Sequence, residues 1–118
     1  MNESTGILRW SDLDPAHPLP GISAVVGTGK RLSAAMFHLA PEAVVPEHSH
    51  DNEEFGQVIR GSLELTWGEE TAVLVAGEAF LLPAGVVHRA RAGADGCELL
   101  ECYAPPRNPV PANRSDQS

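Results

Sequence analysis

The sequence predicts a single all-β domain whose strands close into a barrel or a two-sheet sandwich. Short apolar runs recur along the whole chain, punctuated by 11 glycines and 10 prolines, which is the spacing of many short strands. Several runs alternate. In Ser62–Trp67, Leu63, Leu65 and Trp67 fall on one face and Ser62, Glu64 and Thr66 on the other, the period of two that marks a strand. No segment has a convincing helical period. With so many short strands and no repeat, closure of the sheet on itself is the natural architecture.

Residues 1–20, which include the proline-rich stretch WSDLDPAHPLP, are expected to form an irregular arm laid over the body. Strands are then expected at ISAVVG (22–27), KRLSAAMFHLA (30–40), AVVPEHSH (43–50), EFGQVIRG (54–61), SLELTWG (62–68), TAVLVAG (71–77), AFLLP (79–83), VVHRARA (86–92) and CELLECYA (97–104). Ala34, Ala35 and Met36 would suit a helix, but Pro41 closes that run quickly and its neighbours are strand-like. The barrel is assigned to residues 21–107. The polar tail NPVPANRSDQS, 108–118, is expected to be disordered.

At 118 residues and 42% hydrophobic, the chain is long enough for one core. A formal charge of −8 excludes nucleic acid and anionic membrane as natural partners, because phosphates and anionic lipids repel an acidic surface. Cys97 and Cys102 form no CxxC pair and are too few for a disulfide framework. The stretch MNESTGILRWSDLD lacks a basic-then-apolar pattern, so no signal peptide is expected, and no apolar run approaches the roughly 20 residues of a membrane helix. A cytoplasmic protein is expected.

The chemistry concentrates in VPEHSHDNEEFGQVIRG. His48 and His50 are two residues apart, so on a strand both imidazoles point to one face. Glu54 lies beyond the DNE corner and can return to the same interior, whereas Glu53 would face solvent. A third imidazole is offered by His88, just after a Pro-Ala-Gly turn. Three imidazoles and a carboxylate suit one divalent transition metal (Zn, Ni, Fe or Mn) and leave a position open for water or substrate. His17 and His38 are assigned to the surface. Beyond His88, Ala90 and Ala92 would face inward, with Arg89 and Arg91 outward. On the last strand Cys97, Leu99, Glu101 and Tyr103 share one face, and a carboxylate and a phenol on an apolar interior need partners or a task. Cys102 would face away. Arg107 follows a Pro-Pro pair that holds it extended at the barrel mouth, where it could fork onto a substrate carboxylate.

These motifs resemble the cupin family. HSHDNEEFGQVIRG is similar to the first cupin motif, HxH, three spacers, Glu, six spacers, Gly. GEAFLLPAGVVH is similar to the second, Gly, five spacers, Pro-x-Gly, two spacers, His. The resemblance implies a double-stranded β-helix, or jelly-roll barrel, with metal at His48, His50, Glu54 and His88. Two positions depart from the pattern: Glu42 replaces the glycine that usually opens the first motif, and Ala92 the asparagine that often closes the second. The ending ECYAPPR, with HPLPG near the start, resembles the KdgF-type cupins, which act on unsaturated uronates and promote conversion to the open-chain ketone sugar acid. That resemblance implies catalytic roles for Glu101, Tyr103 and Arg107 on a small carboxylate sugar. Glu101 stands for the usual Asp, Tyr103 for Phe, and Glu54 for the Gln common in that group. The motifs also resemble Fe(II)-dependent cupin dioxygenases and polyketide-cyclase-like cupins, and a non-catalytic metabolite-binding cupin is the alternative from another class. Apolar residues on both faces of 71–77 and 97–104 fit a homodimer.

Overall fold

The structure, a computed structural model, describes residues 6–107. The expected disordered tail, 108–118, lies outside the described residues. A 3-10 turn at Trp10–Asp12 precedes eight strands: β1 (Ala16–Leu19), β2 (Ile22–Thr28), β3 (Ser33–Leu39), β4 (Val44–His48), β5 (Glu53–Trp67), β6 (Glu70–Val75), β7 (Ala79–Leu82) and β8 (His88–Ala104). Every pairing is antiparallel. The sheet runs β1-β2-β3-β8-β5-β6, with β4 also on β8 and β7 also on β5.

Two long strands organise the rest. β5 and β8 pair from Glu53↔Ala104 to Trp67↔His88, and each changes its other partner midway. The C-terminal half of β8 pairs with β3 and its N-terminal half with β4, while β5 passes from β7 to β6. At the crossover Gly61 pairs with Cys97, and both Gly61 (φ 82°) and Gly96 (φ 80°) hold left-handed conformations. A Cβ on Gly61 would run into the Gly96 carbonyl. The expectation of separate strands at 54–61 and 62–68, and at 86–92 and 97–104, is corrected here. Each pair is one continuous strand, because a glycine at positive φ bends the chain without ending the pairing.

The bend folds one half of the sheet over the other, and the inward faces make the core. β3 alternates cleanly, with Ser33, Ala35, Phe37 and Leu39 buried. Phe37 and Leu39 join Leu63 and Leu65 of β5 and Leu99 of β8 in one cluster. Burying each such side chain contributes about 1.5–3 kcal/mol. The candidate helix at 30–40 is strand β3, as the neighbouring pattern required.

The arm is less irregular than expected. Within 1–20, β1 pairs with β2 through Ala16↔Ala24 and Leu19↔Ile22, with an irregularity between them. Pro18 is tolerated because β1 is an edge strand, where a missing N–H costs no ladder bond. Further back, Leu8 lies against the bare backbone of Gly27.

Candidate metal centre

His48 ends β4 and His88 begins β8, and the two are register partners. The Gly85 N–H of the Pro-Ala-Gly turn donates to the His50 carbonyl at 2.8 Å, tying the turn before His88 to the HSH segment. Sequence positions forty residues apart therefore meet. The His48 and His88 rings lie 4.2 Å apart between centroids, and His50 lies 5.2 Å from His88 and 5.6 Å from His48. One ligand atom from each lies within 4.8 Å of the other two.

Backbone carbonyls orient two of these rings. His48 Nδ1 donates to the Pro46 carbonyl at 2.8 Å, and His88 Nδ1 to the Val86 carbonyl at 3.0 Å. Each bond places the proton on Nδ1 and leaves Nε2 with its lone pair, the form that ligates a metal. Glu54, 2% exposed, faces inward as expected, and Glu53 is exposed. His50 Nε2 donates to Glu54 Oε1 at 3.0 Å, and His88 Nε2 stands 3.4 Å from the same oxygen without hydrogen-bond alignment. His88 Nε2 and His50 Nδ1 are buried with no partner. Orphaned imidazole nitrogens beside a carboxylate are costly unless something fills the gap, and three such rings fit a divalent transition metal. His17 and His38 are exposed and lie outside this cluster.

Electrostatics divide the two inward carboxyls. Burial opposes charge on Glu54, but the His50 and His88 imidazoles and the adjoining Glu101 carboxyl hold it well below the ordinary range. Burial, and then the charge of Glu54, pushes Glu101 well above it. The pair is thus driven apart, Glu54 toward its ionised form and Glu101 toward its protonated one, the direction expected of two acids sharing a site. Burial also raises the Tyr103 phenol, with Glu101 adding to the effect. Burial lowers His48, with His88 and Arg107 reinforcing it against the Pro46 carbonyl. Burial lowers His88, but the nearby Glu54 carboxylate and the Val86 carbonyl prevail and raise it.

A cavity of about 280 Å³ joins these groups. His48, Glu54, His88, Glu101, Tyr103 and Arg107 all line it. The Tyr103 hydroxyl donates to Glu101. The Arg107 guanidinium carbon sits 5.5 Å from the Tyr103 ring centroid. The remaining wall is largely apolar, with Phe37, Leu39, Leu63, Leu65 and Phe80 prominent. Ala90 lines it too, Ala92 is buried beneath, and Arg89 and Arg91 are exposed. Cys102 is absent from the lining. Reading the sequence missed Ser33 and Asn52, which bond to the backbone of the segment carrying Arg107. Neither lies in a spacing pattern that would have singled it out.

An antiparallel barrel with three convergent imidazoles defines a metal-competent class of β-barrel protein. The chain belongs to the cupin family: the cupin domain model Cupin_2 matches residues 35–103. The germin-like protein 3-1 of Oryza sativa subsp. japonica is 35% identical over 80 residues, 63% of this chain and 33% of its own length. The chain thus spans about a third of that relative. Among solved structures, KdgF from Halomonas sp. superposes with a TM-score of 0.83 at 23% identity, covering 89% of this chain and 97% of that one. An RmlC-like cupin from Shewanella frigidimarina gives 0.85 at 22%, covering 92% and 97%. Oxalate decarboxylase of Bacillus subtilis gives 0.76 at 21%, covering 87% of this chain and 31% of that one. These likenesses establish a shared fold, that of a small cupin resembling KdgF. No helix among the described residues is long and apolar enough to cross a membrane.

Proposed function

We propose that the chain is a metal-dependent enzyme that moves a proton on a small carboxylate substrate, as KdgF-type cupins do in converting unsaturated uronates to the open-chain ketone form. The observation that carries this reading is the convergence of Glu101, Tyr103 and Arg107 on the cavity lined by His48 and His88 of the imidazole cluster. His48, His50 and His88 would hold the metal, with Glu54 as a fourth ligand. A bound Zn, Ni, Fe or Mn ion would supply Lewis acidity toward a substrate oxygen. Mn(II) centres are described for the B. subtilis oxalate decarboxylase, which makes Mn a metal to try early. Arg107 would fork onto the substrate carboxylate. Glu101, kept protonated by burial and by Glu54, would exchange a proton with the substrate, its orientation held by the Tyr103 hydroxyl. The apolar wall would keep bulk water from that transfer.

The test loads purified protein with Zn, Ni, Mn or Fe(II) in turn, adds a 4,5-unsaturated uronate and follows loss of its conjugated ultraviolet band. Metal-dependent loss above the spontaneous rate is expected. No acceleration with any metal sinks the reading. Oxygen uptake with Fe(II) would then favour a dioxygenase, and ligand binding without turnover a sensing cupin. We also propose a homodimer, supported by the exposed Val73, Val75 and Leu81, with sedimentation velocity as the check. A cytoplasmic location is supported by two free thiols.

A further inference from the structure

The segment that carries Arg107 leaves the sheet at Ala104 and cannot hold itself in place. Pro105 and Pro106 have no N–H to donate, so the ladder of β8 has no natural continuation. Two side chains take its place. Asn52 Nδ2 donates to the Pro105 carbonyl at 2.6 Å. The Ser33 hydroxyl accepts from the Arg107 N–H at 2.9 Å and donates to the Arg107 carbonyl at 2.8 Å. One hydroxyl thereby satisfies both backbone polar groups of a single residue.

Ser33 is 0% exposed, so its hydroxyl has no solvent partner to turn to in place of those bonds. It opens β3 opposite Tyr103, and the Arg107 guanidinium sits over the Tyr103 ring. Asn52 lies in the corner between His50 and Glu54. The backbone of 105–107 is therefore held from two elements: the strand facing Tyr103 and the corner that joins the imidazoles to the carboxylate. A serine that merely ended its strand would spend its hydroxyl nearby, but this one reaches a residue 74 positions away.

We propose that Ser33 and Asn52 are positioning residues. They fix Arg107 across the cavity mouth, so that its guanidinium meets the substrate carboxylate already ordered and at a set reach from the imidazole cluster. The inference rests on the reading that Arg107 binds that carboxylate. Ordering a long side chain in advance removes a cost that binding would otherwise bear.

The test combines a spectroscopic readout with a double-mutant cycle. With ¹⁵N-labelled arginine, the Arg107 Nε–Hε signal is identified by its loss in Arg107→Ala. Its heteronuclear NOE is expected to report a rigid group in the unmodified protein and a mobile one in Ser33→Ala, with near-ultraviolet dichroism and metal uptake unchanged. On the uronate, Ser33→Ala should raise KM roughly tenfold and leave kcat within about twofold, the pattern of lost substrate binding rather than lost chemistry. The Ser33→Ala/Arg107→Ala double variant should be no worse than Arg107→Ala alone. Asn52→Ala should move KM in the same direction by less. A rigid Arg107 signal in Ser33→Ala, or KM losses that add in the double variant, overturns the proposal and leaves Ser33 serving the fold. If Ser33→Ala fails to fold, Asn52→Ala decides, and unchanged Arg107 dynamics in it overturn the proposal. If the unmodified protein does not turn over the uronate, the functional reading falls, while the NOE comparison still decides whether Ser33 and Asn52 hold Arg107.

Discussion

Glu42 holds a left-handed backbone conformation, φ 64°, that ordinarily belongs to glycine. It stands where cupin motifs usually carry that glycine, so the departure noticed in the sequence has a conformational cost of roughly 1 kcal/mol. Its carboxylate reaches Arg91 at 2.8 Å, but both side chains are more than half exposed and such a pair is worth little. Glu42→Gly should therefore be more stable than Glu42→Ala by about 1 kcal/mol in urea unfolding, since both lose the pair and only glycine relieves the strain. The reverse order would show that a side chain at this position matters more than its backbone angle. Cys97 offers a second test. Burial, with Glu101 and Glu98 nearby, pushes its thiol up to about 11. The folded chain keeps a proton that the unfolded chain releases above about pH 9, so this contribution to stability is full below pH 9 and is lost as pH rises toward 11. Cys97→Ser should show a shallower alkaline loss of urea midpoint than the unmodified protein, and equal slopes would refute the link. For the chemistry, Glu101→Gln mimics the protonated acid and keeps the Tyr103 acceptor. It should abolish uronate turnover while metal uptake and melting temperature stay near those of the parent. Normal turnover would remove Glu101 from any catalytic role. The imidazole cluster was legible because HxH keeps two imidazoles within two residues and a turn announces His88, although β4 ends at His48 and His50 joins the cluster from just beyond the strand. Ser33 was not, because a serine in an alternating strand looks the same whether its hydroxyl meets a neighbour or a distant backbone.

Among the elements, β5 and β8 decide the architecture, and the glycines at their shared corner decide β5 and β8. The alternation inside each half was plain in the sequence. What was hidden was continuity, since a glycine between two alternating runs reads as a turn just as well as a bend. Gly61→Ala tests the difference. A new methyl group there would collide with the Gly96 carbonyl while the backbone stays at φ 82°. Both faults strike a backbone that cannot step aside, so a loss above about 3 kcal/mol is expected, at the severe end for a single substitution. A loss below about 1 kcal/mol in the chemical-denaturation midpoint would mean the corner relaxes freely. β1 went unread for a related reason: prolines argue against a central strand, but not against an edge.

At the level of the molecule, the imidazole cluster sits where β4 pairs with the start of β8. His48 and His88 lie opposite one another in that pairing, so an ion held between them would staple an edge strand to the central one. At a free metal concentration a hundred times Kd, binding adds about 2.7 kcal/mol to folding, a rise in Tm on the order of 10 °C for a domain of this size. Scanning calorimetry should show the rise with metal, its reversal by chelator and its loss in His48→Ala/His88→Ala. A rise that survives that double variant would place the ion elsewhere.

The last of the eight strands among the described residues also has a consequence during synthesis. β8 lies at the centre of the sheet, bordered by β3, β4 and β5, which all precede it. A nascent chain released as far as β7 has its hairpins but no seam to gather them, and the apolar faces of β3 and β5 stay open. Closure has to wait until Ala104 clears the ribosome, so this barrel forms in one late event rather than strand by strand, and a chaperone that shields β-edges has its window just before that moment.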